Sequence, residues 1–276
     1  MHSLNLATLN IILRCSLSCN ENIQENEKHP YTEAVHEIMK LTMERISKPW
    51  YFLSLILYKM SATGKEYMKH VNYVHRFADE IIAKRKKAIT DDPSLLQKKK
   101  KLDFLDIIMT AKDESGSGLN DEEIRDEVNT FMFAGHETTK ATMGWAIYNL
   151  GKYPEEQETL FQEVCDLTGD RKNIEWEDLG KLQKMSMFLH ETLRMYPPAG
   201  STTRSLTKPL DIEGVTIPAG NLIHVSIVAI HYRPDVFPNP TEFRPERFLP
   251  ENTENRRPYA FIPFAAGPRF VCLCFC

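Results

Sequence analysis

The sequence lacks a long hydrophobic run, and this absence argues against both a membrane-spanning helix and a secretory signal. Residues 4–17 are apolar, but Asn5, Asn10 and Arg14 interrupt them, and residues 51–58 form a run of only eight residues. A spanning helix needs roughly 18 apolar residues in a row. We therefore interpret residues 51–58 as a core or interface segment rather than as a span.

Cysteine is also sparse, and its spacing is that of neither a disulfide framework nor a zinc site. The six cysteines occupy positions 15, 19, 165, 272, 274 and 276. A chain of 276 residues buries enough surface to fold without disulfide bonds. The three terminal cysteines have no Cys-x-x-Cys pair or matching histidine group beside them, so we expect no structural zinc.

Positive charge is not in excess, since 34 lysines and arginines face 38 aspartates and glutamates, for a net charge of -4. The lysine run at residues 98–101 has no interleaved aromatic residues and is interpreted as a solvated loop. These features argue against a nucleic-acid partner. Hydrophobic residues make up 42% of the chain and charged residues 26%, which is typical of a globular protein.

Hydrophobic periodicity predicts a mainly helical chain with a small β region late in the sequence. Residues 202–231 alternate and contain β-branched residues and turns, so we expect short strands and hairpins there. Residues 91–101 are predicted to be a charged loop, and we find no internal repeat. The principal predicted helices cover residues 31–47, 64–89, 102–109, 121–150, 155–167 and 183–195.

The helix predicted over residues 121–150 organises the chain. Asn120 can cap its start, and Glu123 stands where a capping box places its carboxylate. Gly151 and Pro154 follow its last periodic residue, as expected for a helix end. Its middle, however, is polar between apolar flanks.

The polar interruption has two interpretations. In the first, the helix is kinked at Gly135, which costs roughly 1 kcal/mol relative to alanine, and Thr138 or Thr139 bonds back to the preceding turn. In the second, a ligand uses the opening. The residues concerned are Gly135, His136, Glu137, Thr138 and Thr139.

A second candidate feature is the pair Glu191 and Arg194, which share one face of a helix at a spacing of three residues. On a surface such a pair contributes less than about 1 kcal/mol. Its neighbours here are apolar, which indicates a buried helix, and a buried pair needs further hydrogen bonds. Arg247 supplies a third charge downstream.

Four motifs in this order resemble the cytochrome P450 family: AGHETT at 134–139, ETLR at 191–194, PERF at 245–248 and FAAGPR at 264–269. The sequence around these motifs is most similar to the family-4 branch, the fatty-acid ω-hydroxylases. The resemblance runs from about residue 4 to residue 269. It implies a partial cytochrome P450 fold, mainly α with a small β region, built around the helix at residues 121–150 as a single domain over residues 1–276.

The resemblance assigns roles to residues of the central helix. Glu137 and Thr138 match the acid–alcohol pair that relays protons to oxygen at the heme iron, a task that a carboxylate beside a hydroxyl suits. Ala134 and Gly135 match small residues that leave room above the heme. Members of the family-4 branch often carry glutamate in place of Ala134 and esterify it to the heme, so we expect no covalent link here.

Other matches are structural or bind heme. Glu191, Arg194 and Arg247 match a structural triad. Arg204 and Arg269 match arginines that bind heme propionates, for which the guanidinium fork is suited. Phe264 and Gly267 match the start of the heme-binding loop. Phe131, Met132, Ala134 and residues 199–203 match residues that line the substrate pocket.

The heme loop departs from the family pattern F-x-x-G-x-R-x-C-x-G. Counting from Phe264 places Val271 at the position of the cysteine. Cys272 is one residue late, and Cys274 stands where the closing glycine would follow a one-residue insertion. A heme iron that activates oxygen in this family needs an axial thiolate. Cys272 is therefore the candidate metal ligand, one residue out of register.

The ends of the sequence also depart from the family. We expect a fragment that lacks the N-terminal anchor and early helices and the C-terminal end, with residues 270–276 as an aberrant tail from an intron or a frameshift. One alternative is a catalytically inactive truncated isoform or partial gene product that binds no heme. Another is a helical scaffold without enzymatic ancestry, which would make all four motifs coincidental.

The resemblance implies a heme-dependent monooxygenase that activates oxygen and hydroxylates a lipophilic substrate such as a fatty acid. The cofactor would be heme b with an axial thiolate. The partner would be NADPH–cytochrome P450 reductase, and the full-length member would associate with the endoplasmic reticulum membrane.

Overall fold

The structure is a computed structural model that describes residues 2–20, 23–25, 29–52, 54–99 and 101–267. These residues group into two compact units, and the division falls after Lys140. We call the part up to Lys140 unit 1 and the part from Ala141 onward unit 2. The single domain expected from the sequence stays a prediction.

Unit 1 is helical. Its helices are α1 (His2–Ser16), α2 (Pro30–Ser47), α3 (Leu55–Met60), α4 (Ala62–Asp91), α5 (Ser94–Lys98), α6 (Phe104–Thr110) and the first part of α7 (Asp121–Lys152). The charged loop predicted at residues 91–101 was wrong in part, because Asp92 accepts hydrogen bonds from the backbone and hydroxyl of Ser94 at the start of α5.

The core of unit 1 lies between α1, α2, α4, α6 and α7. The buried residues of α7 recur every four positions and so form one face of the helix. The core members are Leu9, Leu13, Leu17, Tyr31, Val35, Ala78, Ile81, Ile82, Leu105, Ile124, Val128 and Met132.

Helix α7 begins as predicted. The side-chain oxygen of Asn120 accepts hydrogen bonds from the backbone N–H groups of Glu122 and Glu123, each at 3.0 Å. The Glu123 carboxylate accepts the Asn120 N–H at 2.8 Å, which completes the capping box. The helix continues through Gly151 to Lys152, two residues beyond the predicted end.

Unit 2 combines helices with two small antiparallel sheets. After the end of α7 come α8 (Pro154–Thr168), α9 (Gln183–Met195), α10 (Ile227–His231) and α11 (Pro250–Thr253). Strand β1 (Ser201–Ser205) pairs with β4 (Leu222–Ser226), and β2 (Leu210–Ile212) pairs with β3 (Val215–Ile217). The β region therefore lies where the sequence predicts it.

The last five residues of that β region are helical instead. Ser226 caps α10 by accepting the backbone N–H of Ala229 at 3.2 Å. Short 3-10 turns occupy Ile23–Glu25, Pro49–Phe52, Trp176–Lys181 and Pro245–Phe248. Within the described residues, no helix combines the length and the apolar character needed to cross a bilayer.

The junction of α3 and α4 depends on Gly64. A Cβ atom at this position would lie 1.8 Å from the backbone oxygen of Tyr58. Real Cβ atoms do not approach a backbone carbonyl so closely, so any side chain must push the two helices apart. Gly151, also helical, has nothing within 4 Å of the same position.

We expect Gly64→Ala to lower the free energy of unfolding by about 1–3 kcal/mol, the usual cost of overpacking a close contact. The control Gly151→Ala should raise it by up to about 1 kcal/mol, because alanine is the better helix former. Urea unfolding of both variants checks this. Equal effects at the two positions would contradict the packing argument.

Candidate functional site

The predicted site residues of unit 1 lie in the middle of α7. The hydroxyl of Thr138 donates to the backbone oxygen of Ala134 at 2.7 Å, so the predicted back-bonded turn is present. Ala134 is half-buried, and Gly135 is buried. This local bond and the predicted proton relay are compatible, because a hydroxyl both donates and accepts.

Gly135 is where α1 approaches α7. A Cβ atom there would lie 2.6 Å from Cδ1 of Ile12. A side chain at this position would therefore have to displace the end of the Ile12 side chain inside unit 1. The predicted role of Gly135 above a heme stays a prediction, and the packing gives a separate reason for the residue.

Two of the predicted pocket-lining residues, Phe131 and Met132, pack against other parts of unit 1. Met132 is fully buried in the core of unit 1, and its place in the lining of the substrate pocket stays a prediction. Phe131 stacks on Phe104 of α6, with ring centroids 3.5 Å apart. The family resemblance places both residues at the pocket; in unit 1, Phe131 contacts α6 and Met132 packs in the core.

The carboxylate of Glu137 is largely buried and is held on both oxygens. Lys140 Nζ lies 2.6 Å from Oε1 and 2.5 Å from Oε2. The imidazole Nδ1 of His136 lies 3.3 Å from Oε1. An ammonium group that contacts both oxygens compensates the negative charge, which a largely buried carboxylate requires.

His136 is fully buried between α7 and α1. Its Nε2 lies 2.7 Å from the side-chain oxygen of Asn5 and 3.1 Å from the Asn5 backbone oxygen. The sequence analysis noted this histidine only as part of the polar interruption. A buried, hydrogen-bonded imidazole next to Glu137 depends on the position of α1, which helical periodicity does not report.

In unit 2 the predicted triad is assembled. Arg194 and Glu191 are both fully buried, and the guanidinium fork donates two hydrogen bonds to the carboxylate, at 2.7 and 2.8 Å. Arg247 Nε lies 3.4 Å from Glu191 Oε1. The backbone N–H of Arg244 adds a hydrogen bond of 2.9 Å to the same oxygen.

The remaining donors of Arg194 reach other elements of unit 2. Nη1 donates to the backbone oxygen of His231 at 3.0 Å, and Nη2 donates to that of Glu242 at 3.3 Å. The rings of Phe237 and Tyr232 lie 5.2 and 5.6 Å from the guanidinium carbon. These contacts supply the hydrogen bonds that a buried ion pair needs.

His231, which the sequence analysis did not single out, ties α9 to the segment before Phe264. Its Nδ1 lies 3.2 Å from the backbone oxygen of Arg194 and therefore donates to it. Its Nε2 accepts the backbone N–H of Ile262 at 2.9 Å. Burial lowers the pKa of this fully buried imidazole to about 4, and the Arg194 charge acts in the same direction.

Arg204, the predicted propionate ligand, lies in β1. Its Nη1 donates to the Thr202 hydroxyl at 2.6 Å and to the Thr203 backbone oxygen at 3.0 Å. No carboxylate in the described part of the chain forms an ion pair with it. Its donor set therefore fits an anionic partner such as a carboxylate.

The start of the predicted heme loop is described, and its end is not. Gly267 has φ +87°, a left-handed conformation that favours glycine. Arg269, Val271, Cys272 and the predicted aberrant tail at residues 270–276 lie outside the described residues. Among the residues described, no group of three metal-ligating side chains comes together.

A family profile described as cytochrome P450 matches residues 1–273. The chain belongs to the cytochrome P450 family. This confirms the resemblance read from the four motifs, and it excludes the scaffold without enzymatic ancestry.

Named P450 relatives place the chain near family 4. It is 39% identical to cytochrome P450 4F6 of Rattus norvegicus over 274 residues, which cover 96% of this chain and 51% of that protein. It is 39% identical to cytochrome P450 4X1 of Homo sapiens, covering 96% and 53%. It is 40% identical to leukotriene-B4 omega-hydroxylase 3 of Mus musculus, covering 96% and 52%. The chain thus spans about half the length of these curated relatives.

Solved P450 structures confirm the fold. The crystal structure of the cytochrome P450DA heme domain is similar with a TM-score of 0.80 and 25% identity, covering 96% of this chain and 55% of that one. The retinoic-acid-bound cyanobacterial CYP120A1 gives a TM-score of 0.77 at 24% identity, covering 97% and 56%. The mainly helical class with a small β region predicted from the sequence is therefore right.

The described residues fit a P450 heme at its carboxylate groups. Arg204 has donors and no acidic partner among the described residues, and such an arginine suits a propionate. The left-handed Gly267 keeps the loop after Phe264 free of a side chain at its turn. The fit at the iron depends on Cys272, outside the described residues.

The lowered pKa of His231 makes the stability of unit 2 depend on pH. Between the ordinary histidine pKa of about 6.5 and the folded value of about 4, the unfolded chain binds the proton more strongly than the folded chain. The stabilisation is complete above pH 6.5 and is lost as the pH falls toward 4. At 1.36 kcal/mol per unit, the loss is about 3 kcal/mol.

We expect the free energy of unfolding to fall between pH 7 and pH 4.5 by about 2–3 kcal/mol more in the wild-type chain than in His231→Gln, which cannot titrate. The baseline stability of the variant is lower, so the slope with pH is the measured quantity. Urea unfolding followed by circular dichroism at several pH values checks it. Parallel slopes for the two proteins would contradict the assignment.

Proposed function

We propose that this chain is part of a heme-dependent cytochrome P450 monooxygenase that hydroxylates a lipophilic substrate such as a fatty acid. The observation that carries the proposal is the family match over residues 1–273, with Glu137 and Thr138 at the positions of the acid–alcohol pair. The fatty-acid class is supported by the 40% identity to a mouse protein named leukotriene-B4 omega-hydroxylase. Dioxygen would be the co-substrate, and electrons would come from NADPH–cytochrome P450 reductase.

The residues of this chain have distinct tasks in the proposed enzyme. Bound heme b would supply the reductive activation of oxygen. Glu137 holds and releases the proton at its carboxylate, and the Thr138 hydroxyl, fixed by its bond to Ala134, passes it on. Because Ala134 has no carboxylate, the heme is held without a covalent ester.

The remaining proposed contacts hold the cofactor and its surroundings. Arg204 and Arg269 bind the propionates, and Phe264 and Gly267 open the loop that carries the metal ligand. Cys272 is the candidate for that ligand. The buried Glu191, Arg194 and Arg247 do not touch the reacting atoms and act by fixing the elements of unit 2.

A second candidate function rests on the register of the heme loop. Val271 occupies the cysteine position when the loop is counted from Phe264, and valine cannot supply a thiolate. A product with this loop would be a catalytically inactive isoform or a partial gene product that binds no heme. The two candidates differ in one observable, the ligand of the iron.

The test is the difference spectrum of the reduced, carbon-monoxide-bound chain expressed with heme supplied. We expect the Soret band typical of thiolate ligation. Cys272→Ser should abolish that band, and the matched control Cys274→Ser should keep it. No heme uptake, or a band typical of histidine-ligated or free heme, would support the inactive product.

We also propose that the full-length protein associates with the endoplasmic reticulum membrane and that the surface around α3 takes part. The exposed fractions are 60% for Trp50, 61% for Leu55, 72% for Ile56, 68% for Leu57 and 66% for Met60. Within residues 51–58, the exposure of Leu55, Ile56 and Leu57 supports the interface interpretation for these three residues, whereas Tyr58 is buried, with 2% exposed. Adjacent exposed apolar side chains are suited to the boundary of a lipid bilayer.

We expect the triple variant Leu55→Ser, Ile56→Ser, Leu57→Ser to bind phosphatidylcholine vesicles at least about tenfold more weakly, because burial of even one such side chain contributes about 1.5–3 kcal/mol. The control replaces Ile147, Phe161 and Val215, which are exposed on three other elements, with serine. Vesicle sedimentation measures both. Equal loss in the control would remove the role of the α3 surface.

A further inference from the structure

The hydrogen bonds of His136 fix which of its nitrogens carries a proton. A backbone carbonyl can only accept, so the contact of 3.1 Å between Nε2 and the Asn5 backbone oxygen requires a proton on Nε2. The Asn5 side-chain oxygen at 2.7 Å is a second acceptor for the same N–H. The neutral ring therefore presents a bare lone pair at Nδ1.

This Nδ1 atom has no hydrogen-bond partner among the described residues, although the side chain is fully buried. Buried polar atoms in native proteins are nearly always paired, so an unpaired one requires an explanation. The Glu137 Oε1 atom lies 3.3 Å away. A lone pair facing a carboxylate is repulsive, and a proton between the two atoms turns that repulsion into attraction.

The groups that face this pair come from three helices. Lys140 on α7 contacts both Glu137 oxygens. Tyr31 on α2 has its ring centroid 6.4 Å from that of His136, and its buried hydroxyl has no partner among the described residues. Burial raises the pKa of Tyr31, and the negative charge of Glu137 adds to this effect. From α1 only the uncharged Asn5 contacts the ring.

Solvent reaches the neighbours of this group through a polar cavity of unit 1 with a volume of about 430 Å³. Its lining includes Asn5, which holds the ring, and Lys140, which holds the carboxylate. Glu33, His36 and His70 also line it, so both acidic and basic groups border the water there. The cavity therefore borders Asn5 and Lys140, the two residues that hold the imidazole and the carboxylate.

We propose that His136 is a positioning residue that holds a proton at Nδ1 and gives it to Glu137. A hydronium ion of the solvent supplies the proton and becomes water as the Nδ1–H bond forms. That bond then breaks as the Oε1–H bond of Glu137 forms, and the ring returns to its neutral state. No electrons are exchanged. This inference rests on the proposed function, in which Glu137 is the acid of the proton relay.

The charges around the ring make the inference measurable in the full chain without heme. Burial lowers the pKa of His136, Glu137 opposes this by favouring the imidazolium, and Lys140 lowers the pKa further. Imidazole ¹⁵N spectra should therefore show Nε2 protonated and Nδ1 as the atom that titrates. Glu137→Gln should lower the His136 pKa and Lys140→Met should raise it, while the control His190 in unit 2 stays unchanged.

A tautomer with the proton on Nδ1, or a His136 pKa that Glu137→Gln leaves unchanged, would overturn the proposal. Both outcomes are read in the full chain and do not depend on iron ligation. The failure of the proposed function is thus distinguishable. A reduced, carbon-monoxide-bound spectrum without the thiolate band refutes that function, whereas the imidazole measurements decide the proton position.

In the heme-loaded protein the variant is His136→Gln, whose amide can still donate to the Asn5 oxygen but cannot hold a proton. We expect the ratio of product formed to oxygen consumed to fall about tenfold, less than the roughly 10²–10⁴-fold effect of a direct proton-transfer group, because His136 acts through Glu137. The variation of this ratio with pH should also flatten. An unchanged ratio with an unchanged pH profile would overturn the role, and His190→Gln serves as the matched control.

Discussion

The buried ion pair between Glu191 and Arg194 is the contact on which unit 2 depends. Two charges taken out of water are costly unless their remaining donors and acceptors are satisfied. Here the satisfying groups are backbone atoms of His231, Glu242 and Arg244, which lie far along the chain from α9. The ion pair thus binds the irregular, proline-rich segment after β4 and holds it against α9.

The ion pair also provides hydrogen-bond partners for backbone groups of the segment after β4. After β4 the chain has few regular elements, so its backbone groups cannot pair in ladders or long helices. Arg194 accepts no hydrogen bond, but its fork donates in several directions, whereas His231 and Glu191 provide acceptors. The triad therefore holds loop segments of unit 2 by hydrogen bonds, and it does so beside the apolar cluster that includes Phe188, Met195 and Phe243.

Local signals in the sequence were sufficient for several features. The capping box at Asn120 and Glu123 is a relation between neighbours, and the structure shows it as predicted. The contact of Glu191 with Arg194 follows from helical spacing alone. Arg247 required the family motif, because nothing local in the sequence connects residues so far apart.

Other features depend on which helix packs against which face of α7, and the periodicity of a sequence does not report this. Gly135 has the signature of a kink, yet Ile12 of α1 occupies the space beside it. Met132 lies in the core of unit 1, and its residue type and spacing alone do not show which helices cover it. Helix α10 forms where the β-branched residues predicted a strand. Ser226 caps its first turn, and the sequence analysis did not use this local signal.

The two buried histidines show how a structural role differs from a chemical one. His231 donates from Nδ1 and accepts at Nε2, so both nitrogens are satisfied and a proton could only break a bond. His136 donates from Nε2, but its Nδ1 has no hydrogen-bond partner in the part of the chain that the structure describes, and it lies beside a carboxylate. Burial disfavours charge on both rings, yet only one has a place where an added proton would be stabilised. Hydrogen-bond completeness, rather than burial or pKa, therefore separates the histidine that fixes the fold from the one that can take part in proton transfer.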